Sequence, residues 1–316
     1  MTVHVPILLR PIVDAVIEPF RELPLDAEPH WIVDCTLGGG GHTSAFLEVL
    51  ASDPALSRHR VLSIDQDAEA IERAQQRFTR EISEGRLRLH HGRFGEATDL
   101  LRTLPVYGLM ADLGFSSDQI EDAERGLSFL NDGPLDMRLD PSRGESARQL
   151  LQRRTEREIA DLIFEYGEER FSRRIAAAIV EARGEARLPK TTREFAELVT
   201  RAIPGGGRGQ RIHPATRTFQ ALRIAVNEEL EELDSLLNDV ILCVRPGGRV
   251  AILSFHSLED RKVKLRFKGE PGRPDADFEQ LTKKPIEADD AEQRENPRSR
   301  SAKLRVATRR SESLHG

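Results

Sequence analysis

The chain predicts an α/β fold: a largely parallel sheet, covered by helices on both faces and split by a mostly helical insertion. Three observations predict it. Short apolar runs alternate with helical patterns through the first third, four consecutive glycines (38–41) precede the first of those helices, and helix-capping signatures gather mid-chain.

Taken in order, "WIVDCTL" (31–37), "RVLSIDQD" (60–67), "LRLHHGRF" (87–94) and "YGLMADLGF" (107–115) are apolar runs of strand length with polar boundaries. "TSAFLEVLA" and "AEAIERAQQRFTREI" lie between them with helical spacing, which makes βαβ units. From about 116 to 212 the pattern is helical. "SRGE" (142–145), "TERE" (155–158) and "TTRE" (191–194) each offer a Ser/Thr followed three residues later by Glu, the capping-box pattern. After "IHPATRT" one long amphipathic helix is predicted, with Phe219, Leu222, Val226, Leu230, Leu233 and Leu237 on one face. "PGGRVAILSF" (246–255) resumes the sheet, and "SAKLRVATR" (301–309) predicts a final edge strand. The sheet domain is therefore expected over 1–115 and 213–316, and the helical insertion over 116–212.

Composition narrows the function classes. The 316 residues are 38% hydrophobic and 32% charged, as in ordinary globular protein. No run of 18 apolar residues predicts a transmembrane helix, and the N-terminus lacks the pattern of a signal peptide. Cys35 and Cys243 lie far apart and suggest no disulfide framework, no zinc-ligand spacing occurs, and a reducing cytoplasm is the expected compartment. A net charge of −6 argues against nucleic-acid binding over the whole surface. Yet 198–227 holds five arginines and no acid, and 294–310 holds seven Lys/Arg against Glu295 alone, directly after the acidic "IEADDAEQRE". Such segregation suits an anionic partner on one face; a solvated surface with a frayed tail is the other reading.

Glycines before a helix let the backbone approach a ligand at the carboxyl ends of parallel strands. Asp65 and Asp67 close the second strand and Asp112 the fourth, and an acid after the second strand suits the hydroxyls of an adenosine ribose. The dinucleotide fingerprint Gly-x-Gly-x-x-Gly fails, because its last glycine falls on Thr43 or Ser44. The looser loop fits S-adenosylmethionine, another nucleotide, or a purely structural turn.

Longer blocks narrow this choice. "HVPILL" (4–9), "TLGGGGHTSAFL" (36–47), "SIDQD" (63–67), "DLGFSSDQI" (112–120) and "RGLSFLNDGPLDMRLDP" (125–141) open a series. It continues with "YGEERFSRRIAAAIV" (166–180), "HPATRTFQALRIAVNEEL" (213–230), "PGGRVAILSFHSLEDRKVK" (246–264) and "NPRSRSAKLRVATR" (296–309). In order and over nearly the whole chain, these blocks resemble the bacterial ribosomal RNA small-subunit methyltransferase H family, with departures at Arg10-Pro11, Cys35, Phe115 and through 285–295. The resemblance implies a Rossmann-like S-adenosylmethionine-dependent methyltransferase sheet with an inserted mostly helical domain. It implies N4-methylation of a cytidine of 16S rRNA in the decoding region, with that rRNA or the small ribosomal subunit as partner. It places Gly40, Gly41, His42, Asp65, Phe94, Asp112 and Gln119 at the cofactor.

The chemistry then assigns expected roles. Cytosine N4 is a weak nucleophile, so alignment and a hydrogen-bond acceptor are what an enzyme can supply. Asp112 is the candidate acceptor, or else holds the cofactor's amino group. Phe115 stacks on the target base or is a plain core or rim residue. His256 and Ser257, with Glu259 and Asp260 in "SFHSLEDR", face the substrate, or Ser257 caps a helix. Asp132 and Gly133 suit a tight turn, and Asp136 pairs with Arg138. Arg208, Arg211, Arg217, Lys303 and Arg305 are expected phosphate contacts. No metal is required. An RNA-binding assembly factor without turnover, and methylation of DNA or a small molecule, are the competing readings.

Overall fold

A computed structural model of the chain describes residues 6–208, 212–269 and 277–310. Arg211 and the first two residues of "HVPILL" lie outside the described residues. The chain divides into two compact units, Met1–Gly114 with Glu231–Gly316, and Phe115–Leu230. Among the described residues no helix is long and apolar enough to cross a membrane.

The first unit holds a seven-stranded sheet. Its strands are β1 (Trp31–Asp34), β2 (Arg60–Asp65), β3 (Leu87–His91), β4 (Val106–Asp112), β5 (Val244–Ser254), β6 (Phe278–Gln280) and β7 (Lys303–Arg309). The spatial order is β3-β2-β1-β4-β5-β7-β6. β1 to β5 are parallel, β7 is antiparallel to β5, and β6 is antiparallel to β7. Strand order reverses between β1 and β4, so a ligand crevice belongs at their carboxyl ends. The expectation that 301–309 forms the edge is corrected. β7 is enclosed, and the short β6, unread in the sequence, takes the edge.

Three helices of this unit frame the crevice: α1 (Leu9–Arg21), α2 (Gly41–Ser52) and α3 (Ala68–Arg77). Sequence reading missed α1, whose pattern Pro11 and Pro19 obscure. Pro11 sits in the first turn, where no intrahelical donor is lost. Pro19 removes the bond that would satisfy the Ala15 carbonyl, and Arg249 Nη1 donates to that carbonyl instead at 3.2 Å. Ile12, Val16, Ile17 and Phe20 of α1 pack in one core with Phe46 and Leu50 of α2, Ile32 of β1 and Met110 of β4.

The long helix expected after 213 is two helices, Thr216–Asn227 and Glu229–Asn238. Glu228 breaks it in the left-handed region at φ 54°. Phe219, Leu222 and Val226 join the core of the second unit, whereas Leu233 and Leu237 are buried in the first. The second junction therefore lies between residues 230 and 231, not near 213.

The second unit is helical, as expected. Its core gathers Leu150, Ile163, Ile175, Phe195, Phe219 and Leu222. Capping boxes form at Thr155 with Glu158 and at Thr191 with Glu194. The third does not form at 142–145. The helix there starts at Ala147, with Ser146 and Gln149 as its box. The expected ion pair Asp136–Arg138 is present at 2.7 Å. Gly133 donates to Thr192 Oγ1 and accepts from the Thr192 amide, and a β-carbon on it would lie 1.8 Å from the Ala123 carbonyl oxygen. Backbone meets backbone there, so no side chain can yield. Gly133→Ala is expected to lower unfolding stability by about 2–3 kcal/mol. Urea titration measures it, and a loss under about 0.5 kcal/mol would contradict this packing.

Candidate functional site

The crevice is built at the ends of β1, β2, β4 and β5, all in the first unit. β1 closes on Asp34, which is 0% exposed. Its carboxylate accepts the Thr36 amide at 3.1 Å and the Thr43 hydroxyl at 2.7 Å, and Thr43 Oγ1 lies 2.7 Å from Ser63 Oγ on β2. Thr36 Oγ1 in turn accepts the Asp112 amide of β4 at 2.7 Å. One buried acid and two threonines thus fix the ends of β1 and β4, with β2 joined through Ser63, to the first turn of α2.

The glycine run turns from β1 into α2. Gly38 and Gly40 have φ of 50° and 74°, and Gly40 is the residue that caps α2. A β-carbon on Gly41 would lie 2.2 Å from Pro6 Cγ. Asp65 fastens this loop: one carboxylate oxygen accepts the Gly38 amide at 2.7 Å, the other the Asp67 amide at 2.9 Å. A carboxylate has about four lone-pair sites, so about two remain for ligand hydroxyls. Asp67 caps α3 through the Glu69 amide. The Gly92 amide bonds to the Asp65 carbonyl, which leads the chain past β3 to the half-buried Phe94.

Four carboxyl groups share this end of the sheet. Burial, then Asp34 and Glu259, push the Asp112 carboxyl up to about 8. Burial pushes Asp34 and Asp65 up to about 6 against the hydrogen bonds they accept. Glu259 is buried and accepts the Phe255 and His256 amides at 2.8 and 3.3 Å, with His256 Nε2 3.1 Å from its other oxygen. Such a group favours hydrogen-bond donors and positive charge. His42 is buried, which pushes its imidazole down to about 4 against the pull of its bond to the Ile7 backbone. Its Nε2 has no hydrogen-bond partner among the described residues. A side-chain-poor loop, spare acceptors on Asp65 and an orphaned ring nitrogen fit a polar, hydroxyl-bearing cofactor.

The structure brings Gly40, Gly41, His42, Asp65, Phe94 and Asp112 into the first unit, together with His256 and Ser257 at the start of the helix Ser257–Lys268. Gln119 lies in the second unit, where it is buried and its Oε1 accepts the Ser116 amide. Phe115, also there, lies under the Arg223 guanidinium at 4.7 Å, and Glu229 holds Arg223 by two bonds. Arg208 and Arg217 are exposed in the second unit. Lys303 Nζ lies 3.7 Å from Asp260. Arg305 corrects its expected role: it is 3% exposed and gives Nε and Nη2 to Asp260, so its charge is spent inside the fold. Sequence reading missed Asp34, Thr36 and Thr43. The available signal was an acid closing an apolar run, with hydroxyls just before and inside the next helix.

A family model described as the MraW methylase family matches residues 1–310. The chain is 46% identical over 290 residues to a protein of Synechococcus sp. (strain JA-2-3B'a(2-13)) named ribosomal RNA small subunit methyltransferase H, covering 89% of this chain and 86% of that one. Proteins of that name from Sorangium cellulosum (strain So ce56) and Methylobacterium nodulans are also similar. The first is 48% identical over 280 residues, covering 88% of this chain and 84% of its own. The second is 45% identical over 329 residues, covering 98% and 91%.

The raised carboxyls make stability depend on pH. An Asp in the unfolded chain titrates near 4. The folded protein keeps the Asp112 proton up to about 8, so it binds more protons than the unfolded chain and loses stability as pH rises through that window. From pH 6.5 to 8 the Asp112 contribution to unfolding free energy is expected to fall by about 1–2 kcal/mol, and Asp112→Asn to remove that part of the slope, the histidines titrating alike in both proteins. Denaturant melts across that range measure it; parallel slopes for both proteins would refute the assignment.

Proposed function

Because the chain belongs to the MraW methylase family, we propose that it methylates the exocyclic N4 of a cytidine in the RNA of the small ribosomal subunit. It is an S-adenosylmethionine-dependent methyltransferase. The observation that carries the reading is the carboxyl-lined crevice against the glycine turn. When bound, the cofactor supplies an electrophilic methyl group on a positively charged sulfur. Asp65 accepts ribose hydroxyls, the backbone of 38–41 admits the cofactor closely, and Phe94 packs on its adenine. Gln119 is proposed as a further cofactor contact. His42 offers to a polar group the Nε2 that has no partner among the described residues.

Asp112 is proposed to accept a hydrogen bond from the cytidine amine and then its proton. It must be ionised to do so: burial holds a proton on it near neutral pH in the free protein, and the positive charge of a bound cofactor favours the ionised form, whose raised basicity exceeds that of an ordinary aspartate. Phe115, His256 and Ser257 are proposed contacts to the base, which must be single-stranded or flipped out to react. Arg208, Arg211, Arg217 and Lys303 are proposed phosphate contacts; Arg305 is withdrawn from that set.

Labelled cofactor is to be incubated with unmodified small subunits or naked 16S rRNA, and the product digested to nucleosides. N4-methylcytidine is the expected product. Label in neither substrate, from protein shown to bind cofactor, would sink the proposal and favour an RNA-binding factor without turnover. Asp65→Ala is expected to weaken cofactor binding roughly 10- to 100-fold, the value of a charged hydrogen bond. Asp112→Asn is expected to lower kcat by on the order of 100-fold at saturating cofactor. Arg208→Ala and Arg217→Ala are each expected to weaken RNA binding and reduce the salt slope by about one, with kcat nearly unchanged.

A further inference from the structure

The acidic run before the C-terminal strand has a role that composition does not reveal. It folds as the short helix Asp290–Glu295, whose first turn is capped by Asp289 through the Ala291 and Glu292 amides. The segment is tied down on both sides. Ile286 exchanges backbone hydrogen bonds with Leu304 of β7 at 2.9 Å each, and Ala288 and Ala302 are buried in the core that contains Ile7 and Leu8.

From this anchored segment Glu292 reaches across the unit, and its Oε1 accepts the Leu8 amide at 2.7 Å. Leu8 is the residue before α1. It stands in the left-handed region at φ 50°, and its own leucine side chain makes no capping bond. A strained, uncapped helix start is where a distant acceptor has most effect, because the leading amides otherwise lack partners and carry partial positive charge. The two residues before Leu8 touch the glycine turn. Pro6 fills the space that a side chain on Gly41 would take, and the Ile7 backbone is hydrogen-bonded to the His42 ring. That bond fixes the ring whose buried Nε2 has no partner among the described residues.

We propose that Glu292 is a positioning residue for the cofactor site. It holds Leu8, and Leu8 holds Pro6 and Ile7 against Gly41 and His42, so that the turn is preorganised before the cofactor arrives. The proposal rests on the placement of S-adenosylmethionine at the glycine turn, and it gives the 285–295 segment a place in binding rather than in surface charge alone.

Calorimetric titration of S-adenosylmethionine into the full-length wild type, Glu292→Ala, Glu292→Gln and Asp65→Ala separates the two ideas. Glu292→Ala is expected to raise Kd about tenfold, equivalent to about 1.4 kcal/mol, and to raise KM for the cofactor with kcat changed less than about twofold. Glu292→Gln keeps an acceptor oxygen and is expected to stay within about threefold of wild type. If Asp65→Ala weakens binding while Glu292→Ala binds as wild type does, the positioning role is overturned and the site stands. If Asp65→Ala leaves binding unchanged, the site itself is misplaced. A fall in kcat and Tm at Glu292→Ala with cofactor Kd unmoved also overturns the role. Should Glu292→Ala not fold, hydrogen exchange in the wild type decides: saturating cofactor is expected to slow exchange at the Leu8 amide, and unchanged exchange overturns the linkage.

Discussion

The first unit depends on one carboxylate that never meets water. Asp34 ends β1 at 0% exposure, and burying it is tolerable because Thr36 and Thr43 satisfy both of its oxygens. Since Thr36 also binds Asp112 and Thr43 also meets Ser63, the same contacts set the relative height of the β1, β2 and β4 ends. Losing the Thr43 hydroxyl would strip the side-chain donor from one Asp34 oxygen, and losing the Thr36 hydroxyl would leave the Asp112 amide without its acceptor. The crevice above is therefore positioned by side chains that need not touch any ligand.

This arrangement places function against stability. Beyond burial, Asp34 and Glu259 make it harder for Asp112 to ionise, and Asp67 and Asp34 do the same to Asp65. A cationic ligand relieves that crowding, so its binding energy includes the relief of repulsion as well as new contacts. Asp65 and Asp112 differ in a telling way. Asp65 spends two acceptor sites on the backbone of its own loop and stays near 6, while no hydrogen bond among the described residues offsets the burial of Asp112, which rises to about 8.

Much of this was legible in the sequence, and the misreadings have physical causes. β1 to β5 are apolar runs bounded by polar residues, and the glycine turn with Asp65 and Asp112 stands out against them. The start of α1 was hidden because Pro11 and Pro19 look like breakers, and the second is rescued only by Arg249, from another element. The break at Glu228 has no glycine or proline to announce it. 301–309 alternates like an edge strand because Arg305 looks outward-facing; its partner Asp260 lies far away in sequence and draws the charge inward. Asp34, Thr36 and Thr43 are ordinary residue types whose meaning comes from contacts between strands. Glu292 is similar: nothing near it in sequence points to Leu8.

The second unit is spliced between two strands that lie side by side, with β4 ending at Asp112 and β5 starting at Val244. Loop-closure entropy grows only logarithmically, about 0.6 kcal/mol for each doubling of length, so so long an interruption is cheap at equilibrium. Its effect is on timing. The ribosome releases β1 to β4 well before β5 exists, and the half-sheet must wait with an open edge at β4 while the helices between are made. Local helical contacts form fast and non-local strand pairing slowly, so the interruption is itself made of the structure that can settle during that wait.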